Sequence, residues 1–169
     1  NSYQQVAIVA SVTTSKPHGS CARQRFLETG PLAFLPISNN QCSIVWSSDL
    51  EEANRLLMLS DTAFSEALAA AFNYELGSIE SVSLRRSFPL ARQHAKRYIG
   101  DRIALIGDAA HTVHPLAGLG ANQGISDAAA LSQIINARHS ENRDFSTRSV
   151  LRRYERWRSS ENAFLLDTI

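Results

Sequence analysis

No hydrophobic run in this sequence approaches the roughly 20 residues that a bilayer-spanning helix needs. Nor does a basic start lead into an apolar segment, so no secretory signal is expected in these residues. Charge of either sign is not in excess: 17 basic and 16 acidic residues leave a net charge of +1. That balance gives no bulk electrostatic case for nucleic acid as a partner. Cysteine is scarce. Cys21 and Cys42 stand far apart with no CxxC and no His/Cys cluster at metal spacing. A disulfide or a zinc site is therefore not expected, and both residues read as buried free thiols in a reducing compartment. No Ser-His-Asp set, paired carboxylates or metal constellation stands out, no internal repeat occurs, and no catalytic residue is assigned.

The first half carries strand patterns. Val6–Val12, Ala22–Phe26, Pro31–Ile37 and Cys42–Trp46 are short apolar or alternating runs, separated by turns at 15–19, 28–30 and 38–40. They predict an antiparallel sheet of three or four strands. Asp49 can cap a helix reaching about Leu59, with Glu51 and Glu52 in its first turn. Asp61 can cap a second, in which Phe64, Leu68 and Phe72 recur every four residues up to Asn73. Ser81–Pro89 returns to an extended pattern. The basic residues Arg85, Arg86, Arg92, Lys96 and Arg97 read first as a solvated face. Later, Ala121–Ala137 fits an amphipathic helix with Ile125, Ala128, Leu131 and Ile135 on its inner side, ending at Arg138 and His139. A last helix from about Thr147 should bury Val150, Tyr154, Trp157, Glu161 and Phe164.

Between these halves lies IGDAAHTVHPLAGLGANQG, residues 106–124. The strand-like run Ile103–Ile106 stops at Gly107-Asp108, and a proline and three more glycines precede a helix. Gly118, Gly120 and Gly124 give GxGxxxG, which is not the GxGxxG dinucleotide fingerprint, and a βαβ unit does not follow. A different chemistry fits. Asp108 at a strand's end can accept hydrogen bonds from ligand hydroxyls. Pro115 stiffens the loop, while Gly118 and Gly120 let backbone approach a flat ligand. The N–H groups of Gly120, Ala121 and Asn122 would open the helix and favour negative charge. A ligand with hydroxyls at one end and an electron-rich ring at the other suits this stretch, and a reduced flavin with its ribityl chain is such a ligand. A plain glycine-rich turn between strand and helix is the competing explanation.

GDAAHTVHPLAGLGANQGISDA resembles the second flavin motif of the FAD-dependent aromatic hydroxylases related to para-hydroxybenzoate hydroxylase, in the ubiquinone-biosynthesis hydroxylase branch. GPLAFLP, CSIVWS, SFPL and RRYERWRSSEN resemble that branch in the same order, so the likeness spans nearly the whole chain. It implies an α+β fold: an antiparallel substrate-side β-sheet with helices over 1–83, joined over 84–169 to the C-terminal part of a Rossmann-like FAD-binding domain. It implies that Asp108, after Gly107, binds the ribityl hydroxyls and that Pro115 lies beside the isoalloxazine. The backbone of Gly118, Leu119, Gly120, Ala121 and Asn122 would meet the N1/C2-carbonyl side of the ring. Leu119 replaces the glutamine more usual in the branch, and Ala121 and Gln123 also depart from it, which bears on the substrate more than on FAD.

The implied activity is a flavoprotein monooxygenase: NAD(P)H or another donor reduces FAD, and O2 supplies the oxygen placed on an aromatic ring. A polyprenylated phenol or quinol intermediate of ubiquinone biosynthesis is the implied substrate. The implied setting is cytoplasmic and peripheral to a membrane, with room for a biosynthetic complex or a homo-oligomer. An FAD-dependent reductase or dehydrogenase of the same fold, and a non-catalytic binding or assembly module, are the rival classes. The chain reads as a C-terminal fragment of a longer hydroxylase, without the N-terminal GxGxxG region and inactive alone. Among single residues, His111 and His114 flank the proposed ring edge but read as hydrogen-bonded structural histidines. Arg85 and Arg86 read as surface or ion-pair residues, Phe34 and Trp46 as core, and Trp157 as packing.

Overall fold

Alternating apolar residues build the strands of the first unit, Ser2–Leu90. In the computed structural model, which describes residues 2–91, 93–112 and 119–168, these are β1 (Ser2–Thr14), β2 (Arg23–Leu27), β3 (Gly30–Ser38), β4 (Gln41–Asp49), β5 (Ile79–Val82) and β6 (Arg86–Ala91). They form one sheet in the order β2-β3-β4-β1-β5, with β6 also paired to β1. The sheet is thus six-stranded, larger than the three or four strands expected, because the 79–91 region adds to it on both sides of a break at 83–85.

Register explains its inner face. Ile8 lies opposite Trp46 and Trp46 opposite Leu32; Ala10 lies opposite Ile44 and Ile44 opposite Phe34; Val12 lies opposite Cys42. With a side-chain period of two, these rows share one face, and all eight residues are buried. Two helices cover them. Helix α1 (Leu50–Met58) is capped by Asp49, which accepts the Glu52 N–H at 2.8 Å, and it buries Ala53 and Leu56. Helix α2 (Asp61–Ala71) is capped by Ser60 and not by Asp61, its first helical residue; the Ser60 hydroxyl accepts the Ala63 N–H at 3.2 Å. Phe64 and Leu68, with Phe72 just past the helix end, complete this core. Phe34 meets Phe72 at 4.4 Å between ring centroids, and Trp46 meets Phe64 at 6.0 Å. Cys42 belongs to the core, but Cys21 is exposed, contrary to expectation, because it falls in the turn before β2 and not on a strand face.

The second unit runs from Ala91. It contains the two-residue pair β7 (Gln93–His94) and β8 (His111–Thr112), a 3-10 turn at Gly107–Ala109, and helices α3 (Leu119–His139) and α4 (Arg148–Thr168). The expected strand Ile103–Ile106 does not form as such. A single antiparallel bridge joins Ala104 to Ile99, Leu105 N–H donates to the Tyr98 carbonyl, and Ile103 and Ile106 are exposed. An apolar strand needs neighbours on both edges to be buried, and the described residues provide one short antiparallel partner.

In both helices the buried line departs in part from the one hydropathy suggests: Val150 and Tyr154 are buried as expected and Leu131 and Ile135 are half-buried. In α3 the buried residues are Asp127, Ala130 and Ile134, while Ile125 and Ala128 are exposed. In α4 the buried line is Val150, Tyr154, Arg158 and Asn162; Trp157 and Phe164 are exposed, and Trp157 donates its indole N–H to Glu161 at 2.8 Å. Trp157 is therefore a surface residue, not core packing. A four-residue interval keeps each line on one helix face, but polar residues occupy part of both.

Candidate cofactor site

The extended residue Ile106 leads into Gly107, whose φ of +57° is the left-handed conformation that glycine adopts without the penalty a Cβ imposes. Gly107 starts the 3-10 turn, and the next residue, Asp108, is exposed with no side-chain partner among the described residues. Its carbonyl accepts a long 3.4 Å hydrogen bond from the Thr112 hydroxyl. An open carboxylate on a fixed turn is an acceptor for hydroxyl groups.

Helix α3 packs against this turn. A Cβ placed on Gly124 would sit 3.4 Å from the Gly107 Cα, so the two glycine backbones lie close together. The helix opens at Leu119, two residues before the expected Ala121, and Gly120, Ala121 and Asn122 lie in its first turn, the latter two exposed. First-turn N–H groups have no acceptor within their own helix, and the dipole adds partial positive charge there. Of the other residues assigned to the site, Pro115 and Gly118 lie outside the described residues, as does His114. Leu119 is described by its backbone alone.

Behind the turn lies a buried polar cluster. Asp127 is wholly buried. Its Oδ2 accepts the Gly107 N–H at 2.9 Å and lies 2.6 Å from His111 Nε2; its Oδ1 accepts from Arg158 Nε at 2.6 Å and from Asn162 Nδ2 at 3.3 Å. Arg158 also donates through Nη2 to Gln123 Oε1 at 2.9 Å and to Asn162 Oδ1 at 3.0 Å, and through Nη1 to Glu161. Asn162 Nδ2 reaches the Tyr98 hydroxyl at 3.3 Å. Burial pushes the Asp127 carboxyl up, but the hydrogen bonds from Arg158, Gly107, His111 and Asn162 together outweigh it and hold the group below the usual carboxylate range. Burial first, then the nearby Asp127 charge, pushes the Tyr154 phenol up; its hydroxyl donates to the Leu105 carbonyl at 2.7 Å.

His111 is thus buried and hydrogen-bonded to Asp127, and its buried Nδ1 has no partner among the described residues. Arg85 pairs with Asp61 at 3.0 Å, donates to the Leu56 carbonyl and stands over the Phe64 ring at 4.9 Å. Arg86 is exposed, and Phe34 and Trp46 are core. Lys96 and Arg97 are exposed and, with Arg148, Arg152 and Arg156, line a groove of about 730 Å³ beside α4. Sequence reasoning missed Asp127, Arg158, Asn162, Gln123 and Tyr98. The available signal was the four-residue spacing of Tyr154, Arg158 and Asn162, which sets two polar groups in line with an aromatic one. No helix among the described residues is long and apolar enough to cross a membrane.

The chain is 38% identical over 164 residues to the ubiquinone hydroxylase UbiL of Rhodospirillum rubrum, covering 97% of this chain and 38% of that protein. It is 34% identical over 160 residues to the 3-demethoxyubiquinol 3-hydroxylase of Escherichia coli, covering 95% and 41% respectively. The chain therefore spans about two-fifths of the length of these curated relatives. Among solved structures, PqsL of Pseudomonas aeruginosa in complex with 2-aminobenzoylacetate superposes with a TM-score of 0.75 at 22% identity, over 99% of this chain and 47% of that one. This likeness shows that the fold is the α+β fold of an FAD-dependent monooxygenase. The match to the FAD binding domain family runs over residues 4–166, and the chain belongs to that family.

Proposed function

We propose that this chain is the flavin-facing part of an FAD-dependent monooxygenase that hydroxylates an aromatic ring. The observation that carries the reading is the open Asp108 carboxylate, held on a left-handed glycine turn against the start of α3, in a chain of the FAD binding domain family. The residues fit the cofactor's chemistry: a carboxylate with no side-chain partner among the described residues, as acceptor for ribityl hydroxyls, and a helix start for a ring that gains negative charge on reduction. In that arrangement Gly107 and Asp108 hold the ribityl chain, Pro115 borders the ring, and the backbone of 118–122 meets its N1/C2-carbonyl side. FAD supplies the redox and oxygen chemistry, with NAD(P)H or another donor as reductant; the protein supplies orientation, charge and exclusion of water.

The named relatives support a polyprenylated phenol or quinol of ubiquinone biosynthesis as substrate. A substrate with so apolar a tail favours a cytoplasmic protein working at a membrane surface. The first unit, which reaches Leu90 and not only residue 83, then serves the substrate side, and the second, from Ala91, the cofactor. The test uses the intact parent protein. Asp108→Ala should weaken FAD binding by about 1.5–3 kcal/mol, or roughly 10- to 150-fold in Kd, through loss of a charge-assisted hydrogen bond. Gly120→Val should impair binding by blocking close backbone approach. Unchanged FAD affinity in a folded Asp108→Ala protein would remove the ribityl assignment. Reduction of the bound flavin with no oxygen-dependent hydroxylated product would favour a reductase instead.

A further inference from the structure

The buried cluster behind the turn has two sides that lead to different places. One oxygen of Asp127 faces α4 and takes Arg158 and Asn162. The other faces the Gly-Asp turn and takes the Gly107 N–H and His111. Arg158, which is 3% exposed, divides in the same way. Its Nε reaches Asp127, and its Nη2 reaches Gln123 at the end of the first turn of α3. A single guanidinium on α4 is therefore one bond from the start of α3 and two bonds from the Gly107 peptide.

We propose that Arg158, acting through Asp127 and Gln123, is a positioning residue that sets the Gly107-Asp108 turn and the opening of α3 at a fixed separation for the flavin. Among the described residues, Arg158 hydrogen-bonds to neither Gly107, Asp108 nor Gly120–Asn122. The planar fork of arginine suits this task, because its donors leave in fixed directions and each of its three nitrogens has an acceptor here. Holding the Gly107 N–H inward fixes the peptide ahead of Asp108, whose side chain is left on the exposed side. The proposal rests on the reading of Asp108 and α3 as the cofactor cradle. What it adds is the device that holds the two halves of that cradle together.

The experiment compares Gln123→Ala, Arg158→Lys and Asp108→Ala in the intact parent protein. Gln123 is only half-buried, and its loss leaves the Asp127–Arg158 pair in place, so that variant folds even where changes at Arg158 do not. Lysine retains a charge for Asp127 but cannot also span to Gln123 with a rigid fork. The readouts are backbone hydrogen exchange over 105–112 and 119–125 in the flavin-free protein, the Kd for FAD, and the visible absorption bands of bound flavin. Gln123→Ala and Arg158→Lys should speed exchange in the segments, raise the Kd about 10-fold and shift the flavin bands. Asp108→Ala should raise the Kd without speeding exchange. If Gln123→Ala and Arg158→Lys leave Kd and bands within about two-fold of the parent while Asp108→Ala loses FAD, the positioning role is overturned and the cofactor reading stands. If Asp108→Ala retains FAD, the cofactor reading fails. Exchange then decides whether Arg158 couples the two segments, and unchanged exchange overturns that as well.

Discussion

Arg158→Met should be among the most destabilising single substitutions in this chain. The side chain is 4% exposed and its partner Asp127 is 0% exposed, so the ion pair stands apart from solvent screening. Methionine fills much of the same space but leaves Asp127 with only Gly107, His111 and Asn162 as donors. It also strips Gln123 of this partner. Removing one member of a buried pair costs about 3–5 kcal/mol, since the remaining charge is left without compensation. Asp127→Leu should cost a similar amount for the opposite reason. The double variant should be better than the sum of the two by about 3–9 kcal/mol, because neither charge is then orphaned. It should still fall below the parent by about 1–3 kcal/mol, the cost of a buried Gly107 N–H without an acceptor. Urea denaturation of the intact, flavin-free protein measures all four corners of the cycle. Urea is the right denaturant because it adds no ionic strength. A single variant costing less than about 1 kcal/mol, or a double variant additive to within about 0.5 kcal/mol, would refute the reasoning.

Acid should act on the same group. Because the folded Asp127 carboxyl lies below its usual range, its contribution is complete above the unfolded value of about 4 and is lost as pH falls through the folded value. Asp127→Asn should therefore show a shallower loss of stability than the parent when the denaturation midpoint is followed from pH 5 to pH 2. Gly30→Ala should destabilise the first unit by about 1–3 kcal/mol: φ is +144° there, and a Cβ would run into the Ser47 backbone carbonyl, which a lower urea midpoint should register. Under native conditions one thiol should react quickly with an aromatic disulfide reagent. That thiol is Cys21, which is exposed; Cys42 is buried, and burial pushes its thiol up, so Cys21→Ser should abolish the fast phase.

The first unit was largely legible from sequence because its rules are local. Period-two alternation put Ile8, Ala10 and Val12 on the face that also holds Ile44 and Trp46, and the structure pairs those strands. Asp49 capped the helix expected of it. The one-residue error at Ser60 arose because serine and aspartate are both good caps and stand side by side. The extra strands were less visible. β5 and β6 are short, and β6 has only Leu90 buried, so their pairing with β1 depends on a partner that lies over 60 residues away in sequence.

In the second unit the same rules held for Val150 and Tyr154 but not for Ile125, Trp157 and Phe164, and the reason lies in what its helices bury. Hydropathy places α3 by Ile125, Ala128, Leu131 and Ile135, because an apolar stripe is expected to face inward. The helix instead turns Asp127 inward between Gly124 and Ala130, which leaves Ile125 exposed. A buried carboxylate forces its neighbours to bring donors, so α4 must turn Arg158 and Asn162 toward it and release Trp157 and Phe164 to the surface. Each inversion thus follows from the other, and no window on a single helix contains both. Asp108 stood out in the sequence because it precedes a recognisable glycine-rich stretch. The residues behind it did not, because their roles depend on contacts 16 to 35 residues apart. Where α3 buries charge in place of its apolar stripe, it forms the wall against which the Gly107-Asp108 turn is held.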